Sequence, residues 1–273
     1  MKKTLMTCLA TLSMMIASTV AAQTRPGFGI SAEGLKYGYN ERFEGQNVAN
    51  DKGGFFGMGV AYTKTFAKKN FFRSTLAIDH GSIDYRSDDG TRLDNVEQIF
   101  GKLELVLGRD FTLKNGTTIS PFFGVASRVL DDYSGGLVAD NGMQGYDRHI
   151  GYRYLPLGAA MTFATRGAST FTISGQYNWI TNGSVKSEFS KLDPTMPNVT
   201  VPLNGGTGYE LAAMFNVPVR NRMLSVGPFV SGWRLKQSKE VELKDPEGSG
   251  DTAVFLEPAS RTTKAGLRVT FSF

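Results

Sequence analysis

Apolar and polar residues alternate along most of this chain with the two-residue period of a β-strand. The last segment, residues 263–273, shows the pattern most clearly, because Leu267, Val269, Phe271 and Phe273 share one face and mostly polar residues share the other. Earlier segments with the same period cover residues 28–39, 54–66, 71–84, 96–111, 118–128, 149–164, 170–180, 207–217 and 224–234. The chain is therefore predicted to be all-β, with ten antiparallel strands.

Two segments depart from simple alternation. The apolar residues before Gly34 and those after it, such as Tyr37, occupy opposite faces, and glycine tolerates the dihedral angles of a bulge. We therefore expect a bulge at Gly34. In the segment 149–164, Tyr152 lies opposite the face of Leu155, so the inward side of this strand stays undecided. This ambiguity, together with the long stretch 181–206, leaves eight and twelve strands as alternatives.

The connections between segments alternate in length. Short, turn-rich connections cover residues 67–70, 112–117, 165–169 and 218–222. Long connections cover residues 40–53, 85–95, 131–148, 181–206 and 241–261. Alternation of this kind predicts an up-and-down meander with both termini at the end that carries the short turns.

Aromatic residues divide between the two ends of the predicted strands. Phenylalanines border the short connections, among them Phe66, Phe71, Phe111 and Phe163. Tyrosines and tryptophans lie toward the long connections, at Tyr37, Tyr39, Tyr152, Tyr154, Tyr177, Trp179, Tyr209 and Trp233. Rings at both ends of an apolar band are typical of membrane interfaces, so two aromatic girdles are predicted.

The N-terminal residues 1–22 have the pattern of a secretory signal peptide. Lys2 and Lys3 precede an apolar stretch, and small residues end at Ala22. Residues 23–273 are then the mature domain, which contains no cysteine because Cys8 is the chain's only one. Thirty Lys and Arg, two of them in the signal, against 25 Asp and Glu leave a net charge of +3, too small to indicate a nucleic-acid partner.

A C-terminal strand that ends in Phe273 after apolar residues at every second position resembles the assembly signal of bacterial outer-membrane β-barrels. The resemblance implies that Val269, Phe271 and Phe273 guide recognition by the barrel-assembly machinery, with periplasmic chaperones as earlier partners. It further implies a transmembrane antiparallel barrel in the outer membrane of a Gram-negative bacterium. Outer-membrane lipid and lipopolysaccharide would surround it, and the long loops would meet any extracellular ligand.

A soluble β-sandwich or lipocalin-like barrel would also alternate, but with its apolar face inward. In this chain the less apolar face carries many Gly, Ala, Ser and Thr residues beside a few charges. Such a face suits a narrow, crowded lumen better than a solvated surface. The apolar face is therefore predicted to face lipid.

Charged residues of both signs share the predicted inward face, and opposite charges are expected to pair when they are buried. The predicted lumen network comprises Glu33, Arg73, Asp79, Lys102, Glu104, Arg128, Glu210 and Arg268, joined by Gln176 and Lys264. Counting from both ends of the chain places Glu33 beside Arg268 where the last strand meets the first. A salt-bridged plug is predicted, and a polar conduit is the alternative.

Catalysis is the competing function. Length and strand count resemble the omptin proteases, which use Asp pairs and an Asp-His pair at the extracellular rim, and the spacing of Asp147 and His149 permits such a pair here. Asp79 and His80 point to opposite faces, and the acidic loops lack the ligand spacing of a calcium site. We therefore expect no catalytic residue, metal or cofactor. The predicted function is a non-enzymatic, surface-exposed structural or binding barrel, or a narrow porin-like channel for small solutes. The alternative is a rim-active outer-membrane hydrolase, either an omptin-like protease or a lipid-modifying enzyme.

Overall fold

The computed structural model describes residues 26–165, 167–244 and 252–273. Ten long antiparallel strands form a closed barrel. In chain order they are β1 Gly27–Phe43, β2 Gln46–Thr65, β3 Asn70–Ser87, β4 Arg92–Arg109, β5 Thr118–Tyr133, β6 Arg148–Ala164, β7 Thr170–Ser187, β8 Gly206–Val219, β9 Arg222–Leu235 and β10 Ala259–Ser272. The predicted signal peptide, residues 1–22, lies outside the described residues.

Each long strand pairs with the next along the chain, and the first pairs with the last. The closing pair β1–β10 runs without interruption from Gly29 opposite Ser272 to Arg42 opposite Ala259. Closure satisfies the backbone hydrogen bonds of both strands, so the long strands leave no open edge. The predicted ten-stranded up-and-down barrel is confirmed over the alternatives of eight and twelve strands.

Shorter strands and turns lie beside or between the ten long strands. The strand Phe111–Thr112 pairs with the start of β5, and Val199–Pro202 pairs with the end of β7. Val241–Lys244 and Thr252–Phe255 pair with each other, and single 3₁₀ turns span Ala67–Lys69 and Phe189–Lys191. Among the described residues, the structure contains no helix with the length and apolar character needed to cross a membrane.

The two ends of the barrel differ in the length of most of their connections. The end that carries the short connections and the last residue is termed the short-turn end, and the opposite end is termed the loop end. The predicted loop 40–53 is mostly strand, because only Glu44 and Gly45, with φ angles of 49° and 82°, separate β1 from β2. Part of the length assigned to loops is therefore strand that continues past the apolar band.

The apolar face of the strands lies on the outside of the barrel, as predicted. Leu103, Leu157 and Val269 are 45%, 65% and 44% exposed, and each lies on the outward row of its strand. Phe273 is 48% exposed at the end of the same outward row as Val269. A wide band of exposed apolar side chains around a closed sheet suits hydrocarbon as its surroundings.

The predicted bulge at Gly34 is wrong. The pairing of β1 with both of its neighbours continues unbroken through Gly34, and the first register shift lies between Glu41 and Arg42. The change of face that suggested the bulge has another cause. Tyr37 lies on the same inward row as Glu33, because the interior becomes apolar toward the loop end.

The predicted girdle of tyrosines and tryptophans is only partly correct. Tyr177, Trp179 and Tyr209 face outward and are 53%, 66% and 38% exposed. The other predicted members are buried inside the barrel, namely Tyr37, Tyr39, Tyr152, Tyr154 and Trp233. Inward tyrosines also explain the segment 149–164, where Tyr152 and Leu155 simply occupy opposite faces. At the other end, Phe71 is buried inside the barrel with Val106 and Phe122.

Candidate functional site

The middle of the lumen is filled by six aromatic side chains from five strands, termed the aromatic layer. Its members are Tyr37, Phe55, Phe100, Tyr152, Tyr154 and Trp233, all of them at most 7% exposed. They form two groups of three, with ring centroids 5.3 to 5.4 Å apart in the first group and 4.9 to 6.4 Å apart in the second. Separations of this size are typical of rings in direct contact.

Arg128 joins the two groups of rings. Its guanidinium carbon lies 4.8 Å from the ring centroid of Phe100 in the first group and 5.0 Å from that of Trp233 in the second. The residue is only 6% exposed. Stacking of a planar guanidinium on aromatic faces stabilises it without a carboxylate partner. The predicted lumen residue Arg128 is therefore part of the aromatic layer.

Below the aromatic layer, toward the short-turn end, lies a connected set of ion pairs. The Arg268 guanidinium donates from Nε to Oε2 of Glu33 at 2.6 Å and from Nη1 to Oε1 of Glu210 at 3.1 Å. Lys102 Nζ donates to Oε2 of Glu210 at 3.4 Å. The predicted pairing of Glu33 with Arg268 is confirmed, since the two residues are also directly opposite each other across β1 and β10.

A second pair connects this network to the aromatic layer. Lys264 Nζ donates to Oδ2 of Asp79 at 2.6 Å, and it lies 3.4 Å from the ring centroid of Phe100. Both side chains are buried. Across the lumen, Gln176 donates to Oε2 of Glu104 at 2.8 Å. Ammonium, ring and carboxylate groups therefore pack against one another where an open conduit would need water.

Small residues make room for these charges. A Cβ atom built at Gly57 would overlap the Asp79 carboxylate and lie 2.7 Å from Cγ of Glu33. A cavity of about 340 Å³ remains beside the network, and its lining includes Arg73 and Glu104. The guanidinium carbon of Arg73 lies 5.3 Å from the ring centroid of Phe122. The eight charged residues predicted for the lumen therefore all line one interior region.

Above the aromatic layer, the loop end is closed by a separate ion cluster that the sequence analysis missed. Arg148 is paired with Glu41, at 3.3 Å, and with Glu257. Tyr39 donates to Oε1 of Glu41 at 2.7 Å. Burial raises the pKa of Glu257, and the Arg148 guanidinium opposes that rise. Glu41 continues the inward row of Glu33 in a stretch assigned to a loop, so strict counting along β1 would have found it.

Three buried polar atoms near these layers have no hydrogen-bond partner within the described part of the chain. They are Oδ1 of Asp51, Oε1 of Gln98 and the Tyr154 hydroxyl oxygen. Gln98 nevertheless donates to Oδ2 of Asp132 at 2.7 Å. Unpaired buried groups are costly, so the surrounding packing must compensate for them.

The rim residues Asp147 and His149 are not brought together. His149 Nδ1 lies 2.7 Å from Oδ1 of Asp131, and Nε2 lies 3.3 Å from Oε1 of Glu188. Asp147 is instead paired with Lys191 and accepts the Gly135 backbone N–H at 2.6 Å. The structure therefore does not form the Asp147–His149 pair that the spacing permitted. The reason is that the partners come from neighbouring strands and loops, which spacing along one strand cannot reveal.

Glu188 is held between two lysines at the loop end. Lys186 Nζ donates to Oε1 at 2.7 Å, and Lys191 Nζ lies 3.0 Å from Oε2. Hydrogen bonds from Lys186 and Lys191 lower the pKa of Glu188 to about 2. On the opposite side of the barrel, His80 Nε2 lies 2.9 Å from Oε1 of Glu97 on the outer face. Across the described ranges, no three His, Cys, Asp or Glu side chains are grouped so that they could hold a metal ion.

No protein-family model matches the sequence, and no curated protein matches it. Among solved structures, the outer membrane protease OmpT from Escherichia coli aligns with a TM-score of 0.56 at 10% identity, covering 93% of this chain and 100% of that chain. The outer membrane protein OprG from Pseudomonas aeruginosa aligns with a TM-score of 0.40 at 12% identity, covering 92% of this chain and 99% of that chain. Identities this low establish the fold alone. This chain has the fold of the bacterial outer-membrane β-barrels.

Proposed function

We propose that this protein is an integral barrel of the bacterial outer membrane with a closed lumen, and that it acts through its loop end without catalysis. Its exposed apolar band supports the membrane location, because a sheet that is apolar outside and charged inside is suited to lipid. Export by residues 1–22 would bring it to the periplasm. The last strand, with Val269, Phe271 and Phe273 on its outer face, would present the assembly signal.

The observation that carries the closed lumen is the aromatic layer joined by Arg128. Rings and guanidinium occupy the middle of the barrel at contact distance, with ion pairs on both sides. An ion on this path would have to displace both the layer and the pairs. We therefore favour a plugged barrel over the narrow porin-like channel.

A closed barrel leaves the loop end as the place where the protein meets the exterior. The strand Val199–Pro202 extends the sheet there, and Val199 and Val201 are buried. Arg148 connects β6 to Glu41 of β1 and to Glu257, which precedes β10. Loops fixed by such contacts form a defined surface, which suits binding of an extracellular ligand better than gating of a pore.

Conductance in planar bilayers tests the closed lumen. The purified, folded protein should insert without steady current steps, while a known porin in the same membrane gives them. Steady single-channel openings with solute selectivity would contradict the proposal and favour the channel. Insertion itself should be confirmed by resistance of the membrane fraction to carbonate extraction.

A rim-active hydrolase is less well supported. His149 has an acidic partner in Asp131, but both residues lie on the outward rows of β6 and β5. That position places both residues outside the lumen. A hydrolytic activity of the folded protein that is lost in His149→Ala would overturn the non-enzymatic proposal, with His80→Ala as the control.

A further inference from the structure

The outer face of the barrel near the loop end carries a groove lined by exposed arginines. The groove has a volume of about 690 Å³ and is lined by Arg42, Arg234, Arg261, Tyr177 and Tyr209 among others. All three arginines are exposed. We term this feature the arginine groove. It lies on β7 to β10 and β1, on the side of the wall opposite to the lumen network.

Two of these arginines face each other directly. Arg234 of β9 and Arg261 of β10 are cross-strand partners, and Arg261 is also opposite Asn40 of β1. Like charges in directly opposite positions destabilise a sheet. In the part of the chain that the structure describes, neither of these two arginines forms an ion pair with an acidic side chain. An anionic ligand would turn this repulsion into a favourable interaction.

The sign of the charges differs between the two sides of the barrel. On the outward rows of β7 to β10 and β1, the described residues include arginine and lysine but no Asp or Glu up to Thr181 of β7. On the other side of the barrel, the outward rows carry acids as well as bases, and two of these bases have acidic partners, His80 with Glu97 and Arg86 with Asp94. The described outward residues around the arginine groove therefore carry positive charge alone, whereas the far side carries both signs.

The surroundings of the groove indicate the kind of anion. Immediately toward the short-turn end, the outward rows continue with apolar residues, including Leu211, Val230 and Leu267. Tyr209 and Tyr177, which are directly opposite each other, lie between the arginines and this apolar wall. A ligand with an anionic head above a hydrocarbon part would match this order, whereas a free soluble anion would use only the arginines.

We infer that the arginine groove binds the phosphorylated glucosamine headgroup of lipopolysaccharide from the leaflet at the loop end. Arg234 and Arg261 would contact one phosphate, Arg42 would approach the second, and the acyl chains would lie along the apolar rows. The inference rests on the proposed outer-membrane location with the loop end outward.

The test is binding of lipid A to the folded protein in detergent, measured by native mass spectrometry. Arg234→Gln with Arg261→Gln should weaken binding of bisphosphorylated lipid A by about tenfold or more, because charge-assisted hydrogen bonds are the strong ones. The matched control, Arg92→Gln with Arg153→Gln, removes two exposed arginines of β4 and β6 and should change binding little. Lipid A without phosphates should bind wild type and both variants equally weakly.

Three outcomes would overturn the inference: equal loss in both double variants, equal binding of dephosphorylated lipid A by wild type, or phosphatidylglycerol binding as tightly as lipid A. The single variants Arg234→Gln and Arg261→Gln give the same comparison if the double variant fails to fold. Carbonate extraction of the wild type separates the two proposals. A protein that stays in membranes but ignores lipid A contradicts only the arginine groove.

Discussion

Replacing Arg268 by methionine tests whether the ion network stabilises the barrel. The substitution removes the contacts to Glu33 at 2.6 Å and to Glu210 at 3.1 Å, and it also removes stacking on Phe229 at 4.4 Å. Glu210 keeps Lys102 at 3.4 Å, whereas the structure gives Glu33 no second ion-pair partner among the described residues. The variant therefore leaves one buried carboxylate unpaired.

The expected cost follows from that unpaired charge. Breaking a buried pair by removing one partner costs about 3 to 5 kcal/mol, and the side chains of Arg268 and Glu33 are only 23% and 12% exposed. The Arg268→Met variant should lose about this much free energy of unfolding. The measurement is urea unfolding of the protein folded in detergent micelles, followed by intrinsic fluorescence at neutral pH.

A control and a rescue make the result specific. Arg222→Met removes an exposed arginine that stacks on Phe271 and Phe273, and it should cost about 1 kcal/mol or less. Adding Glu33→Gln to Arg268→Met should restore part of the loss, because a buried amide is less costly than an unpaired carboxylate. If Arg268→Met costs no more than Arg222→Met, or if Glu33→Gln only adds to the loss, the network does not stabilise the fold as argued.

Three further predictions concern other parts of the barrel. Gly57→Val should cost about 1 to 3 kcal/mol in the same unfolding assay, because its side chain would overlap the ion network; Gly34→Val, where a Cβ meets nothing within 4 Å, should cost clearly less. Trp233→Ala should lower the free energy of unfolding by about 3 to 5 kcal/mol, since its ring is 7% exposed in the aromatic layer. A loss smaller than that of Gly34→Val would show that the aromatic layer does not stabilise the barrel. The Glu188 carboxyl should titrate by NMR near pH 2 and move toward its ordinary 4.5 in Lys186→Met. Because this pKa is lowered, the stability it contributes is complete above about pH 4.5 and lost as pH falls to about 2.

The outer wall and the closing pair could be predicted from the sequence. Lipid-facing rows such as that of Leu267 and Val269 are uniformly apolar, so their period is clear. The partnership of Glu33 with Arg268 follows from counting inward from both ends, because closure fixes the register where the chain begins and ends. Both predictions depend on local alternation or on a register that the termini determine.

The interior aromatic layer could not be predicted in the same way. Aromatic rings near strand ends occur at membrane interfaces and in cores, so composition alone placed Tyr37 and Trp233 on the wrong side. The position of Tyr37 could have been corrected by continuing the two-residue alternation from Glu33, because that alternation places Tyr37 inside the barrel. The stacking of Arg128 between Phe100 and Trp233 depends on how far apart β4, β5 and β9 lie across the lumen, and alternation carries no information on that distance.

The bond between Arg268 and Glu33 joins residues 235 positions apart in the chain. Bringing such distant residues together has a large entropic cost, which only the accumulated pairing of the intervening strands can offset. A polypeptide that ended before residue 268 would lack the partner of Glu33, and β1 would have no β10 to pair with along that part of the sheet. The ion pair of Glu33 with Arg268 therefore forms only once the chain extends through its last strand.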